Sequence, residues 1–228
     1  PRPPRLVDLR RPEEFARFRM AGSLNIPSFA LKTKSFLTRR PVVLLDEGYD
    51  PQGLETVCQE LRQAGLEASF LYGGLQAWKA SGADLEGDRF AQRALDRMPA
   101  DAFRNGVTDE RRLLVALDEA LPVSDVPQAV SLPYRGDPSA WIVQLRQTLD
   151  RWTGQPELFS VVLISRAGTD YDDLESALRT SRLPNLFFLE GGWQAYQELL
   201  SRELVARERG EASTDAPAGC PTCRLGCQ

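Results

Sequence analysis

The sequence predicts an α/β protein of two similar domains, each a mainly parallel sheet flanked by helices on both faces. Three observations carry this reading. Val42-Val43-Leu44-Leu45 and Val161-Val162-Leu163-Ile164 are short apolar runs rich in β-branched residues. Each is too short for a buried helix and reads as a strand covered on both sides. Each is followed by a polar loop, a helical stretch and a closing segment of one design: Phe70-Leu71-Tyr72-Gly73-Gly74-Leu75-Gln76-Ala77-Trp78 matches Phe188-Leu189-Glu190-Gly191-Gly192-Trp193-Gln194-Ala195-Tyr196. The copies are offset by 119 residues at the strands and 118 at the glycine pairs, a period of duplicated domains rather than of a solenoid.

In chain order, the first domain is expected over 1–82. It opens almost at once on the strand Leu6-Val7-Asp8-Leu9, so its N-terminal helix is missing. The first loop is expected over Asp46–Gly53, with a helix starting at Leu54-Glu55-Thr56. Residues 83–104, with Gly87 and Pro99 around a short helical stretch, read as a linker. The second domain is expected over 105–205. Thr108-Asp109-Glu110 looks like an N-cap with acidic first-turn residues. Leu113, Leu114, Leu117 and Leu121 would then share one helical face, and Pro122 would stop the helix. The second loop is expected over Ser165–Asp173, before a helix starting at Leu174-Glu175-Ser176. Strand–loop–helix–strand order implies right-handed βαβ units. In such sheets ligands bind beyond the carboxyl ends of strands, which makes the two loops the candidate sites. Residues 206–228 read as a flexible tail ending in a cysteine cluster.

Composition narrows the chemistry. The chain has 228 residues, 42% hydrophobic and 26% charged, enough for real cores. Its net charge of −4 argues against a nucleic-acid partner held by a broad basic surface. With no histidine, Ser-His-Asp and Cys-His catalysis, histidine metal sites and a histidine pH switch are excluded. Lys32, Lys34 and Lys79 are the only lysines, so the second half has no catalytic lysine to offer. No apolar run approaches the ~20 residues of a membrane-spanning helix. The chain begins at Pro1 and reads as a processed or trimmed product; the compartment is left open between the cytoplasm and, after removal of a signal peptide, the periplasm.

Three motifs in order point to a family. Leu6-Val7-Asp8-Leu9-Arg10-Arg11-Pro12-Glu13-Glu14-Phe15 resembles the opening strand and "D-x-R-x-x-x-E-[FY]" continuation of rhodaneses. Ala21-Gly22-Ser23-Leu24-Asn25-Ile26-Pro27 is similar to the family's "G-A-x-N-I-P" segment, and Tyr72–Trp78 to its closing "GG-x-x-A-W". The second copy keeps the central strand and Gly191–Tyr196, with a faint match at Val130-Ser131-Leu132-Pro133-Tyr134-Arg135. The resemblance implies tandem rhodanese-like domains. It also implies a cysteine at the first position of each loop, where inward N–H groups and a helix N-terminus lower a thiol's pKa so that it can carry sulfur as a persulfide.

Those positions are Asp46 and Ser165. Neither can form a persulfide. Asp46 could fill its own cradle, and Glu47 and Asp50 would repel thiosulfate. The second loop, with Ser165, Arg166, Gly168 and Thr169, could still bind an anion or be an inherited turn. Aspartyl-phosphate chemistry at Asp46 is disfavoured, since the familiar phosphatase motif needs a second aspartate two residues on, where Gly48 stands. Cys58 falls on the face of Leu54, Val57 and Leu61 and reads as a packing residue. Cys220, Cys223 and Cys227 form a C-P-x-C-like cluster: a mobile thiol arm for sulfur or redox exchange, a tail pinned by one disulfide, or a metal-binding end that needs a borrowed ligand. No metal and no cofactor are expected. The functional expectation is a protein without thiosulfate sulfurtransferase activity in its loops, acting on a protein partner such as a sulfur-carrier or thioredoxin-like protein. The alternatives are a scaffolding module with a tail disulfide or metal, and an active sulfurtransferase using a tail thiol.

Overall fold

The computed structural model describes residues 3–119, 121, 129–152, 160–169, 171–181, 183 and 185–209. The chain runs β1 (Arg5–Asp8), α1 (Pro12–Arg17), β2 (Phe18–Arg19), β3 (Leu24–Asn25), two 3-10 turns (Ser28–Thr33 and Ser35–Arg39), β4 (Val42–Leu45), α2 (Pro51–Gln63), β5 (Ala68–Phe70) and α3 (Gly74–Ala80). It continues through β6 (Glu86–Gly87), a 3-10 turn (Ala91–Asp96), β7 (Arg97–Met98), α4 (Ala100–Asn105), β8 (Arg112–Ala116), β9 (Ala129–Ser131), α5 (Pro138–Trp152), β10 (Ser160–Ile164), α6 (Asp172–Ser181), β11 (Leu186–Leu189) and α7 (Gly192–Glu208).

Two parallel sheets result. The first has the order β3-β1-β4-β5 and the second β7-β11-β10-β8-β9, so the second repeats the first and adds β7 at its edge. The expected apolar runs are the central strands β4 and β10. Alternate side chains explain why such runs are apolar throughout: in the first sheet Val42 and Leu44 pack toward α2, while Leu45 packs toward α3. In the second, Val162 and Ile164 face α4 and α7, while Val161 and Leu163 face α5 and α6. Each sheet therefore has a core on both faces.

The helix expected across Leu113–Leu121 is instead strand β8, every residue of it buried. Leu113 and Leu117 face one core, Leu114 and Ala116 the other, which is the pattern of a strand covered on both sides and not of a helix stripe. Asp109 does accept a local backbone bond, from Arg111 N–H at 3.0 Å, but it closes a turn rather than opening a helix. Pro122 lies outside the described residues. The helix before the second sheet is α4, packed on α7 through Phe103 and Tyr196, whose rings meet edge to face at 5.0 Å.

Residues 83–104, expected as a linker, contribute strands beside or within both sheets. β6 pairs antiparallel with β2 beside the first sheet, while β7 pairs with β11 in the second. Helix α7 extends through Glu208, so residues 206–208 are helical rather than the start of the tail. Cys220, Cys223 and Cys227 lie outside the described residues. Among the described residues no helix is long and apolar enough to cross a membrane.

The register lines up the two copies residue by residue. β1 meets β4 with Asp8 opposite Leu45, and β8 meets β10 with Ala116 opposite Ile164. β3 and β9 then occupy the same place: Ile26 N–H bonds to Asp8 C=O at 3.1 Å, and Leu132 N–H to Ala116 C=O at 3.0 Å. The faint match at Val130–Arg135 thus begins as a match of backbone position.

Candidate functional site: the two strand-end loops

Each central strand ends in a loop that is locked to the glycine pair in the same way. Leu75 N–H donates to Asp46 C=O at 2.9 Å and Gln76 N–H to Glu47 C=O at 3.1 Å. In the second copy Trp193 N–H donates to Ser165 C=O at 2.8 Å and Gln194 N–H to Arg166 C=O at 3.0 Å. The backbones approach so closely that glycine is required at the contact. A Cβ on Gly74 would sit 2.4 Å from Gly48 N and 2.6 Å from Asp46 O; one on Gly192 would sit 2.5 Å from both Gly168 N and Ser165 O. Both glycines also hold positive φ, +56° and +62°. The recurrent Gly-Gly motif is therefore the clamp that shapes both loops.

The first loop is shorter than expected, because Asp50 caps α2, accepting from Gly53 N–H at 2.8 Å, and Pro51 begins the helix. Asp46 bends back on the loop: its Oδ1 accepts Gly48 N–H at 2.9 Å. An internal carboxylate thus takes one of the loop's own N–H groups. Burial, with Glu47, Asp50 and Asp8 nearby, pushes the Asp46 carboxyl well above its ordinary range despite the Gly48 bond. Burial likewise raises Glu47 to about 7, reinforced by Glu14 and Asp8 and opposed by Arg10. A cavity of about 260 Å³ opens here, lined in part by Arg10, Ser28, Asp46, Glu47 and Asp50.

Beneath it, Asp8 and Arg10 form a buried pair. Arg10 donates from Nη2 to Asp8 Oδ2 at 2.8 Å and from Nε to Oδ1 at 3.0 Å, and Nη2 also reaches Phe18 C=O at 2.7 Å. Asn25 ties its amide to the carbonyls of Asp8 (3.1 Å) and Arg10 (2.8 Å), and Glu14 accepts from Arg11 N–H at 3.1 Å. The opening motifs are accordingly structural: they fix the strand ends under the loop.

Tyr49 leaves the first loop for the other domain. Its hydroxyl donates to Arg97 C=O at 2.6 Å, its ring meets Phe187 edge to face at 5.2 Å, and its carbonyl accepts from Arg112 Nη2 at 2.6 Å. Gln76 adds two bonds across the seam, donating to Leu186 C=O at 3.2 Å and accepting Asn185 N–H at 2.9 Å. The second domain therefore holds the first loop's far side. Sequence reading did not single out Tyr49 or Arg112, since nothing local marks a cross-domain contact.

In the second loop Ser165 is buried and its Oγ accepts Gly168 N–H at 2.8 Å. Arg166 N–H donates to Asp118 Oδ2 at 2.6 Å, and Tyr171 Oη to Asp118 Oδ1 at 2.7 Å. Ser165, Arg166 and Thr169 line a cavity of about 490 Å³ together with Asp118, Glu119, Tyr134, Arg135 and Tyr171. Gly168 shapes the turn at φ +72° rather than lining it. Asp118 has no local signature, since the leucines around it fit a helical stripe as well as the strand β8 that positions it. Cys58, in α2, is fully buried in the first domain's core, and burial raises its thiol pKa. Among the described residues no group of three or more carboxylates or thiols is placed to hold a metal ion.

The raised Glu47 has a consequence for stability. Its folded pKa exceeds its ordinary 4.5, so the folded state binds more protons than the unfolded one between about pH 4.5 and 7. Its contribution is full below about pH 4.5 and is lost as pH rises through 7. Urea melts of wild type and Glu47→Gln should diverge accordingly, with wild type losing stability relative to the variant from pH 5 to 7.5. Parallel pH profiles would contradict this placement of Glu47.

Residues 2–81 match the family model described as a rhodanese-like domain. A search of curated proteins gave no match. Among solved structures, the chain is similar to a Rhodanese_3-like domain from Anabaena sp. (26% identity, covering 38% of this chain and 95% of that one, TM-score 0.34). It is also similar to a thiosulfate sulfurtransferase from Pseudomonas aeruginosa (17% identity, 86% and 39%, TM-score 0.33). A third similar structure is SseA from Escherichia coli, described as a 3-mercaptopyruvate sulfotransferase of rhodanese fold (16% identity, 83% and 92%, TM-score 0.30). By its strand-end loop, its opening motifs and this family match, the chain carries a rhodanese-like domain in residues 2–81.

Proposed function

We propose that this rhodanese-like protein does not transfer sulfur through its domain loops and works by binding a protein partner in sulfur or thiol metabolism, with Cys220, Cys223 and Cys227 as its chemically competent groups. One observation carries the reading: both loop positions hold oxygen side chains that already bond to loop N–H groups, Asp46 to Gly48 and Ser165 to Gly168. A persulfide needs a thiolate in that place. The only thiol among the described residues, Cys58, is sealed in the core and has its pKa raised. The partner reading follows from what is left, three C-terminal thiols in a chain whose two loops hold none.

The test is mass spectrometry of peptides after incubation of the full chain with thiosulfate or a low-molecular-weight persulfide. Sulfur added to Cys220, Cys223 or Cys227 supports the proposal. Sulfur on Cys58 and never on the tail refutes it.

A further inference from the structure

Asp118 stands just past β8, at the place Arg10 holds past β1. The residue before each makes the same bond: Leu117 N–H to Ile164 C=O at 2.8 Å, and Leu9 N–H to Leu45 C=O at 2.9 Å. In the first copy Arg10 turns inward to the buried carboxylate of Asp8. In the second, the strand register puts Ala116 where Asp8 stands, so no buried anion calls for a cation. The residue at the Arg10 position is then free to be a carboxylate, and it faces the loop. The two sites thus differ in charge: Asp46 and a cation, Arg10, at one, and a neutral Ser165 and a carboxylate, Asp118, at the other.

We infer that Asp118 is a built-in anion for the second loop, its carboxylate occupying the place where the loop's N–H groups would otherwise meet an external oxyanion. This rests on reading that loop as an inherited anion cradle. The carboxylate has the two partners an oxyanion would use, a loop amide and a hydroxyl: Arg166 N–H at 2.6 Å and Tyr171 Oη at 2.7 Å. It borders the cavity of about 490 Å³ into which Arg135, Thr169 and Arg166 also open. A fixed negative charge there repels a second anion while satisfying the donors that would have recruited it. The loop is thereby closed to sulfate-like groups without being filled by bulk.

The experiment is an amide NMR titration with sodium sulfate at constant ionic strength, on wild type, Asp118→Asn and Asp118→Ala in the full chain. In wild type, sulfate should leave the amides of Arg166, Ala167 and Gly168 in place. Removing the carboxylate should shift the Arg166 amide upfield before any sulfate is added. It should also give sulfate binding at the loop at least about tenfold tighter than wild type. Asp118→Asn, which keeps the shape and an acceptor oxygen, should fold normally and gain less. An Arg166 amide unmoved in both variants would overturn the contact on which the inference stands. An amide that moves without any gain in sulfate affinity would overturn the reading of the loop as an anion cradle.

Discussion

Arg10→Ala should destabilise the protein by about 3–5 kcal/mol, the usual cost of removing one partner from a buried ion pair. Asp8 is completely buried, and it depends on Arg10 for every side-chain bond described for it. The variant would leave that carboxylate in the core without a counter-charge. It would also remove the Nη2 bond to Phe18 C=O and the guanidinium that lies over the Phe18 ring, 4.7 Å from its centroid. Denaturant melts check the magnitude. A second readout separates lost charge from lost packing: Asp8→Asn with Arg10→Met removes both charges and should recover much of the loss. Arg10 also holds the Glu47 pKa down, so the single variant should titrate Glu47 higher still. A loss below 1 kcal/mol in Arg10→Ala would mean that Asp8 finds another partner or water.

Gly74→Ala and Gly192→Ala should each cost about 3 kcal/mol, through left-handed backbone strain together with backbone overlap. The atoms that a Cβ would meet are main-chain atoms of the loop, Gly48 N and Asp46 O in one copy, Gly168 N and Ser165 O in the other. No rotamer change relieves such a contact. The loop must move, and the Leu75 or Trp193 bond to it must lengthen. Gly22→Ala is the control: it too has positive φ, +73°, but a Cβ there meets nothing within 4 Å. Its loss should be confined to the strain. Similar losses in all three would show that backbone conformation alone, and not the clamp, requires glycine at positions 74 and 192.

Much of this organisation was legible in the sequence. The runs at Val42 and Val161 identified the central strands because a strand covered on both faces has no polar alternation to obscure it. The repeated Gly-Gly segment marked the clamp, although its physical cause, the approach of two backbones, needed coordinates. The same continuity that revealed β4 and β10 misled at β8. Leucines at 113, 114, 117 and 121 fit a helical stripe as well as a buried strand, and Asp109 imitated a cap. That one error hid the register with β1, and with it the equivalence of Arg10 and Asp118. The cross-domain contacts of Tyr49, Gln76 and Arg112 had no local signature, since each depends on how the sheets meet. Asp46 and Ser165 directly follow β4 and β10, and each accepts an N–H bond from its own loop, which only the backbone path reveals.

The most direct measurement is a thiosulfate-to-cyanide sulfur transfer assay. It should be run on the full chain and on a variant with Cys220, Cys223 and Cys227 all replaced by serine. The account predicts no thiocyanate above the uncatalysed background from the triple variant, whatever the wild-type tail contributes. Turnover that persists after the three tail thiols are gone would contradict it, because the chemistry would then belong to the loops of Asp46 and Ser165 or to Cys58.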